Sequence, residues 1–228
     1  MMRRNIALIP AAGVGARFGA GKPKQYVEIN GKTVLQHTIE IFEQHSRIDL
    51  IAVILSPEDS VFQTALSEKV RVFRVGGASR AETVRNGVSV LLEQGLAEEQ
   101  DNILVHDAAR CCLPAEALTR LLNEAGKNDE GGILAIPVAD TLKRSDGSHH
   151  IDATVARAEL WQAQTPQLFQ TALLHRALSV DDLSEITDEA SAVEKLGIRP
   201  RLVQGDTRNL KLTLPQDEYI VRLLLKAV

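Results

Sequence analysis

Six short runs dominated by Ile, Val and Leu recur along this chain, and helical patterns stand between several of them. The runs are Ile6–Ile9, Leu50–Leu55, Val70–Val75, Ile103–His106, Ile133–Val138 and Pro200–Gln204. Most are continuous rather than alternating, which suits strands buried on both faces. Between them, Val34–Glu43 follows a Thr33 cap, and Ala81–Gln94 sets Val84, Val88, Leu91 and Leu92 at helical spacing. Ala115–Ala125 begins after Pro114, a usual helix-start residue. This βαβα order predicts an α/β fold, a mostly parallel twisted sheet with helices on both faces. With 228 residues, 44% of them hydrophobic but only 4% aromatic, one domain over residues 1–228 with an aliphatic core is expected.

The pattern breaks once, after Val138. Two alternating segments flank Ser145-Asp146-Gly147, a turn signal. Residues 139–157 are therefore expected to form a β-hairpin arm leaving the domain. A two-stranded hairpin is marginal alone in water, so the arm needs something to pack on, and a symmetric copy is the economical choice.

The first run feeds a loop with glycines at 13, 15, 19 and 21 and cations at Arg17, Lys22 and Lys24. Small residues let backbone N–H groups approach phosphate oxygens, and the cations neutralise them, so the loop suits a polyphosphate. It is not a P-loop: Ala16 stands five positions before Gly21, and Pro23 follows Lys22 where a hydroxyl is needed. Nor is it a dinucleotide fingerprint, because Phe18 occupies the third glycine position.

Further candidates lie at other predicted strand ends. Val105-His106-Asp107-Ala-Ala-Arg110 closes a buried strand, where ligands of open α/β sheets bind. Asp107 there suits a ribose hydroxyl or a Mg²⁺ bridging phosphates, and from spacing alone it equally caps the next helix or pairs with Arg110. Gly76-Gly-Ala-Ser-Arg80-Ala-Glu-Thr83 offers close backbone approach to a flat base, with Thr83 or backbone carbonyls on the base edge. The same spacing fits a turn with Ser79 as cap. Thr165-Pro166-Gln167 reads as a loop, Thr187-Asp188-Glu189 as a helix start, and Arg157 follows the arm. Lys211 lies in Asn209-Leu-Lys-Leu-Thr213. No Ser/His/Asp order or activated-nucleophile motif is present.

Several function classes are disfavoured. The net charge of −4 argues against a bulk nucleic-acid binder. Nothing resembles an 18-residue apolar span or a signal peptide. Cys111 and Cys112 are adjacent, poorly placed to bridge each other or to build a four-ligand zinc site. His149-His150 on a strand would point to opposite faces, which argues against a shared metal. A reduced, cytoplasmic protein with no membrane or nucleic-acid partner is the expectation.

Taken together, the motifs resemble the 2-C-methyl-D-erythritol 4-phosphate cytidylyltransferase family. The matching stretches are Pro10-Ala-Ala-Gly-Val-Gly-Ala-Arg17, Pro23-Lys-Gln25, Gly76-Gly77 with Arg80-Ala81, His106-Asp-Ala-Ala-Arg110, and Pro137-Val-x-Asp-Thr141-x-Lys-Arg144. Thr165-Pro-Gln167, Thr187-Asp-Glu-Ala-Ser191 and Asn209-x-Lys211-x-Thr213 complete the series, in the expected order. The resemblance implies a nucleotide-diphospho-sugar-transferase-like domain and a homodimer joined through exchanged arms. It implies coupling of CTP to methylerythritol 4-phosphate with release of pyrophosphate, using Mg²⁺ or another divalent ion. Carried over by position, Arg17, Lys24 and Lys211 act at the reacting phosphate. Ala11, Ala12 and Gly13 approach the nucleotide, Gly77 and Thr83 meet the cytosine, and Asp107 serves the ribose, the metal or the polyol hydroxyls. Arg110, Thr165 and Thr187 join the substrate-binding set, with Thr141 and Arg157 reaching in from a partner's arm. Departures from the family pattern are Ala16, Ala78, Thr83 and Cys111. Ribitol 5-phosphate as the second substrate, or a non-catalytic nucleotide-binding regulator, are the competing readings.

Overall fold

A computed structural model describes residues 3–13, 23–63 and 67–226. In chain order the elements are β1 (Asn5–Pro10), a two-residue pair β2 (Glu28–Ile29) and β3 (Lys32–Thr33), α1 (Val34–Glu43), β4 (Leu50–Ile54) and β5 (Val70–Phe73). There follow α2 (Arg80–Glu93), β6 (Asn102–Val105), α3 (Ala115–Glu124), β7 (Gly132–Pro137), β8 (Leu142–Ser145) and β9 (Ile151–Val155). The chain continues with β10 (Trp161–Gln170), α4 (Thr171–Leu178), α5 (Glu189–Glu194), β11 (Arg201–Gln204) and α6 (Asp217–Leu224). The main sheet has the order β11-β7-β10-β6-β1-β4-β5. All of its pairings are parallel except the two made by β10.

Strand β1 shows why the apolar runs are continuous. Ala7 and Ile9 face a core shared with Leu35, Ile39 and Phe42 of α1 and Leu118 and Leu121 of α3. Ile6 and Leu8 face the opposite core, with Val84, Val88 and Leu91 of α2 and Leu174 of α4. From Ile6 to Ile9 alternate side chains thus meet helices on both sides, and no position between them is left for a polar residue. The Thr33 and Ser79 caps read from sequence are made: Thr33 Oγ1 accepts from Gln36 N at 3.1 Å and Ser79 Oγ from Glu82 N at 3.1 Å.

One expectation is corrected. Thr165-Pro166-Gln167 lies in β10, a strand between β6 and β7, rather than in a loop. Proline lacks the ladder donor and belongs in a central strand only at an irregularity. The β10–β7 register shifts between Ala163 and Gln167, so Pro166 sits inside that irregularity. The polar sequence WQAQTPQLFQ hides a strand in which Gln164 and Gln167 are buried but paired. Gln167 donates to Asp188 Oδ2 at 2.8 Å and accepts from Ala190 N at 2.8 Å.

The hairpin arm is present, with β8 and β9 pairing antiparallel as their own small sheet. Asp146 Oδ1 closes the turn by accepting from Ser148 N at 2.8 Å and His150 N at 3.0 Å. The arm carries Ile151 at 68% exposure, and its base carries the partly exposed pair Leu160 and Trp161.

Candidate functional site

The sheet sets the location. From β1 the chain passes to β4 on one side, whereas β6 feeds α3 and β7 on the other. Such a reversal opens a crevice at the carboxyl ends of the strands. A cleft of about 390 Å³ lies there. Its walls are Pro10–Gly13 after β1, Lys24 and Gln25, the loop Gly77–Arg80 with Thr83 after β5, Asp107–Ala109 after β6, and Lys211. Ala11, Ala12, Gly13, Lys24, Gly77, Thr83, Asp107 and Lys211, all candidates from sequence, therefore converge on one space.

The loops are held by Gln25, by the close packing of Gly76 and by Thr83. Gln25, 4% exposed, donates to both Ala11 O and Gly13 O at 2.9 Å. This ties the Lys24 turn to the strand end it must serve. Gly76 packs so close to β4 that a Cβ there would meet the Ala12 side chain and lie 2.7 Å from Leu55 O. Thr83 is 2% exposed, and its hydroxyl accepts from Gly77 N at 3.1 Å and donates to Ser79 O at 2.9 Å. Its hydroxyl thus shapes the Gly77 loop.

Asp107 is the electrostatic centre. Oδ1 accepts from Arg80 Nε at 2.9 Å, and Oδ2 meets Lys211 Nζ at 2.9 Å and Arg110 Nε at 3.4 Å. Burial opposes its ionisation, but the Arg80, Lys211 and Arg110 charges prevail and hold the carboxyl well below the usual carboxylate range. The pairing with Arg110 that spacing allowed is thus made, and the helix cap is not: α3 starts at Ala115 with Pro114 in the cap position. Arg110 also donates to Asn209 O at 2.6 Å, and Asn209 Nδ2 to Thr165 O at 2.7 Å. The motif around Lys211 is thereby fixed to β10.

Behind Asp107 runs a second, proton-ordered chain. His106, fully buried, places Nε2 2.9 Å from Arg110 O and Nδ1 3.1 Å from Thr165 Oγ1. Thr165 Oγ1 accepts from Asp107 N at 3.1 Å. The arrangement is satisfied by a neutral ring with its proton on Nε2, taking the Thr165 proton at Nδ1. Thr165 is therefore committed to holding the end of β6. Burial pushes the His106 pKa down to about 4 from its ordinary 6.5. The unfolded chain then binds this proton at a pH where the folded one does not. Stability from His106 should be complete above pH 6.5, fall between about 6.5 and 4, and lose roughly 3 kcal/mol across that window. Denaturant midpoints measured from pH 7.5 to 4 should show this slope, and His106→Gln should flatten it. An equal slope in the variant would mean another group is responsible. Asp107 contributes in the same direction only at lower pH, as acid protonates the unfolded carboxyl first.

Other candidates lie apart. Arg17 falls outside the described residues. Thr141 and Arg157 are exposed on the arm and its base and do not line this chain's own cleft. Thr187 is exposed before α5, its backbone N donating to Ser191 Oγ at 3.1 Å. Among the described residues no cluster of three or more His, Cys, Asp or Glu could hold a metal ion, and both cysteines are free. No helix among them is long and apolar enough to cross a membrane.

Comparison with known proteins gives one answer. A family model described as 2-C-methyl-D-erythritol 4-phosphate cytidylyltransferase, IspD, matches residues 5–227. A protein of that name from Neisseria meningitidis is 71% identical over 231 residues, covering 100% of both chains. A solved 4-diphosphocytidyl-2C-methyl-D-erythritol synthase superposes with TM-score 0.89 at 64% identity, covering 99% of this chain and 100% of the other. The Francisella tularensis 2-C-methyl-D-erythritol 4-phosphate cytidylyltransferase superposes with TM-score 0.82 at 32% identity, covering 97% and 99%.

Proposed function

The chain belongs to the 2-C-methyl-D-erythritol 4-phosphate cytidylyltransferase family, and on that footing we propose that it is a nucleotidyltransferase coupling CTP to 2-C-methyl-D-erythritol 4-phosphate in isoprenoid precursor biosynthesis. The observation that carries this beyond membership is the charge of the cleft. Among the described residues its lining sets three cations, Lys24, Arg80 and Lys211, against the single carboxylate of Asp107, in a chain of net charge −4. Such a site is built for polyanions.

Among the described residues the lining contains no histidine or cysteine, and its one serine, Ser79, already caps α2. The proposed reaction needs no activated nucleophile. A phosphate oxygen of the second substrate is already an anion at neutral pH. Its lone pair forms the bond to the α-phosphorus of CTP while the bond to the bridging oxygen breaks, and pyrophosphate departs with that electron pair. No proton has to move. The protein's task is to orient two anions and neutralise charge in line. Lys24 and Arg17 serve the α-phosphate, and Lys211 stands between the substrates. Backbone at Ala11–Gly13 approaches the triphosphate, the Gly77 loop receives the cytosine, and Asp107 accepts from ribose hydroxyls.

Magnesium or another divalent ion would neutralise the triphosphate. Both Asp107 oxygens already hold cations, so this donor set fits an ion carried in by phosphate oxygens and water rather than one resident at Asp107. A homodimer is proposed in which Thr141 and Arg157 of one arm, with Thr187 nearby, complete the other subunit's polyol site. The exposed apolar residues of the arm and its base support this, and a cytoplasmic location is proposed, where the two free cysteines would stay reduced.

Pyrophosphate release measured against a panel of nucleotides and polyol phosphates tests the reading. Turnover should require both CTP and methylerythritol 4-phosphate, with ribitol 5-phosphate far poorer. CTP should exceed UTP by roughly 100-fold or more, because a site that accepts the cytosine amine leaves an acceptor unpaired against a uracil oxygen. Equal use of CTP and UTP, or pyrophosphate release without the polyol phosphate, would refute it.

A further inference from the structure

Glu189 is an acid 1% exposed that lies outside the cleft lining. A buried carboxylate is costly unless paired, and apolar bulk would fill the same space without that cost. Its two oxygens take both terminal nitrogens of Arg80, Nη1 at 2.6 Å and Nη2 at 3.1 Å. A guanidinium gripped as a fork has one orientation, so its remaining Nε–H is aimed. It is aimed at Asp107 Oδ1, 2.9 Å away, which turns the other carboxylate oxygen towards Lys211. The grip is itself anchored. Asp188 Oδ1 accepts from Ser191 N at 2.9 Å, and Gln167 of β10 binds both Asp188 and the Ala190 backbone.

We infer that Glu189 is a positioning residue for sugar recognition: by clamping Arg80 from behind, it presents Asp107 to the ribose hydroxyls of the nucleotide. The inference rests on the proposed reading that Asp107 meets the ribose. Without the clamp, the Arg80 fork turns towards the triphosphate and Asp107 follows Lys211. Nucleotide turnover then persists, but the distinction between a ribose and a deoxyribose fades.

The test is the ratio of kcat/KM for CTP to that for 2′-deoxy- and 3′-deoxy-CTP, in the wild type, Asp107→Asn, Glu189→Gln and Glu189→Asp. The wild type should favour CTP over at least one analogue by roughly 10- to 100-fold, the worth of a hydrogen bond to a charged group. Asp107→Asn should bring that ratio near one, Glu189→Gln to within about threefold of Asp107→Asn, and Glu189→Asp to a value between. General structural damage lowers both nucleotides together and leaves the ratio unchanged. A folded Glu189→Gln protein with the wild-type ratio overturns the inference. If that variant does not fold, a wild-type ratio in the charge-retaining Glu189→Asp overturns it. Absence of CTP turnover in the wild type would instead defeat the proposed activity. Full discrimination in Asp107→Asn would defeat the ribose assignment and this inference while leaving the activity standing.

Discussion

Lys24→Ala should lower turnover roughly 100- to 1000-fold at saturating substrates, with a far smaller loss of CTP affinity. Lys24 follows the fixed φ of Pro23 and opens a single turn of 3-10 helix, Lys24–Tyr26, whose next residue, Gln25, is bonded to Ala11 and Gly13. Its ammonium group is therefore carried on backbone tied to the loop after β1, not on a mobile surface segment. In the proposed site, ground-state CTP would be met by several cations and by backbone N–H groups, so one lysine would add little to binding. The charge that builds on the α-phosphate during in-line displacement is met only by groups placed for it beforehand, and losing one costs ~2.7–4 kcal/mol. Steady-state kcat together with CTP affinity from direct titration separates the two effects. A rate within threefold of wild type would remove Lys24 from the reaction. Weaker CTP binding with an unchanged kcat would make it a binding residue only. Gln25→Ala should mimic part of the effect, since it unties the turn while leaving the charge in place.

The positions legible in the sequence and those that were not differ for a physical reason. The βαβα order, the Thr33 and Ser79 caps and the loops of the cleft are local: each depends on a few adjacent residues whose apolar runs, caps or glycines declare the backbone. Val34–Glu43 and the ends of β1 and β6 were readable on those terms. Strand β10 was not, because its polar residues are paid for by partners far away in sequence, Gln167 by Asp188 and Ala190, and Gln164 by Asp206. The roles of Thr83 and Thr165 were legible as polar residues near a site but not as hydroxyls already spent on the backbone and on His106. Glu189 carried no signal beyond its place at a helix start. Its partner lies 109 residues earlier, and only the folded sheet brings the two together.

The largest effect outside the phosphate loop is expected from the arm. Arg157→Ala should lose roughly 10- to 100-fold in kcat/KM for the polyol phosphate, the cost of one charge-assisted contact, with CTP affinity preserved. Arg157 stands exposed at the base of a hairpin and outside its own chain's cleft, so an effect of that size requires it to act elsewhere. Mixing Lys24→Ala with Arg157→Ala subunits tests where. In a mixed dimer, one site combines the Lys24 defect of its own chain with the Arg157 defect of its partner. The other site has its own Lys24 and receives the intact Arg157 of the first subunit. Twofold symmetry makes these the only two arrangements, so each mixed dimer should regain about half of wild-type activity, and a fully exchanged equal mixture about a quarter. Exchange is followed independently by native mass spectrometry of differently tagged subunits. If exchange is complete and activity stays at the level of the separate variants, Arg157 acts within its own subunit. The shared site would then fail even if the protein is a dimer, because a dimer that merely stabilises the fold leaves both mixed sites with one defect each and restores nothing.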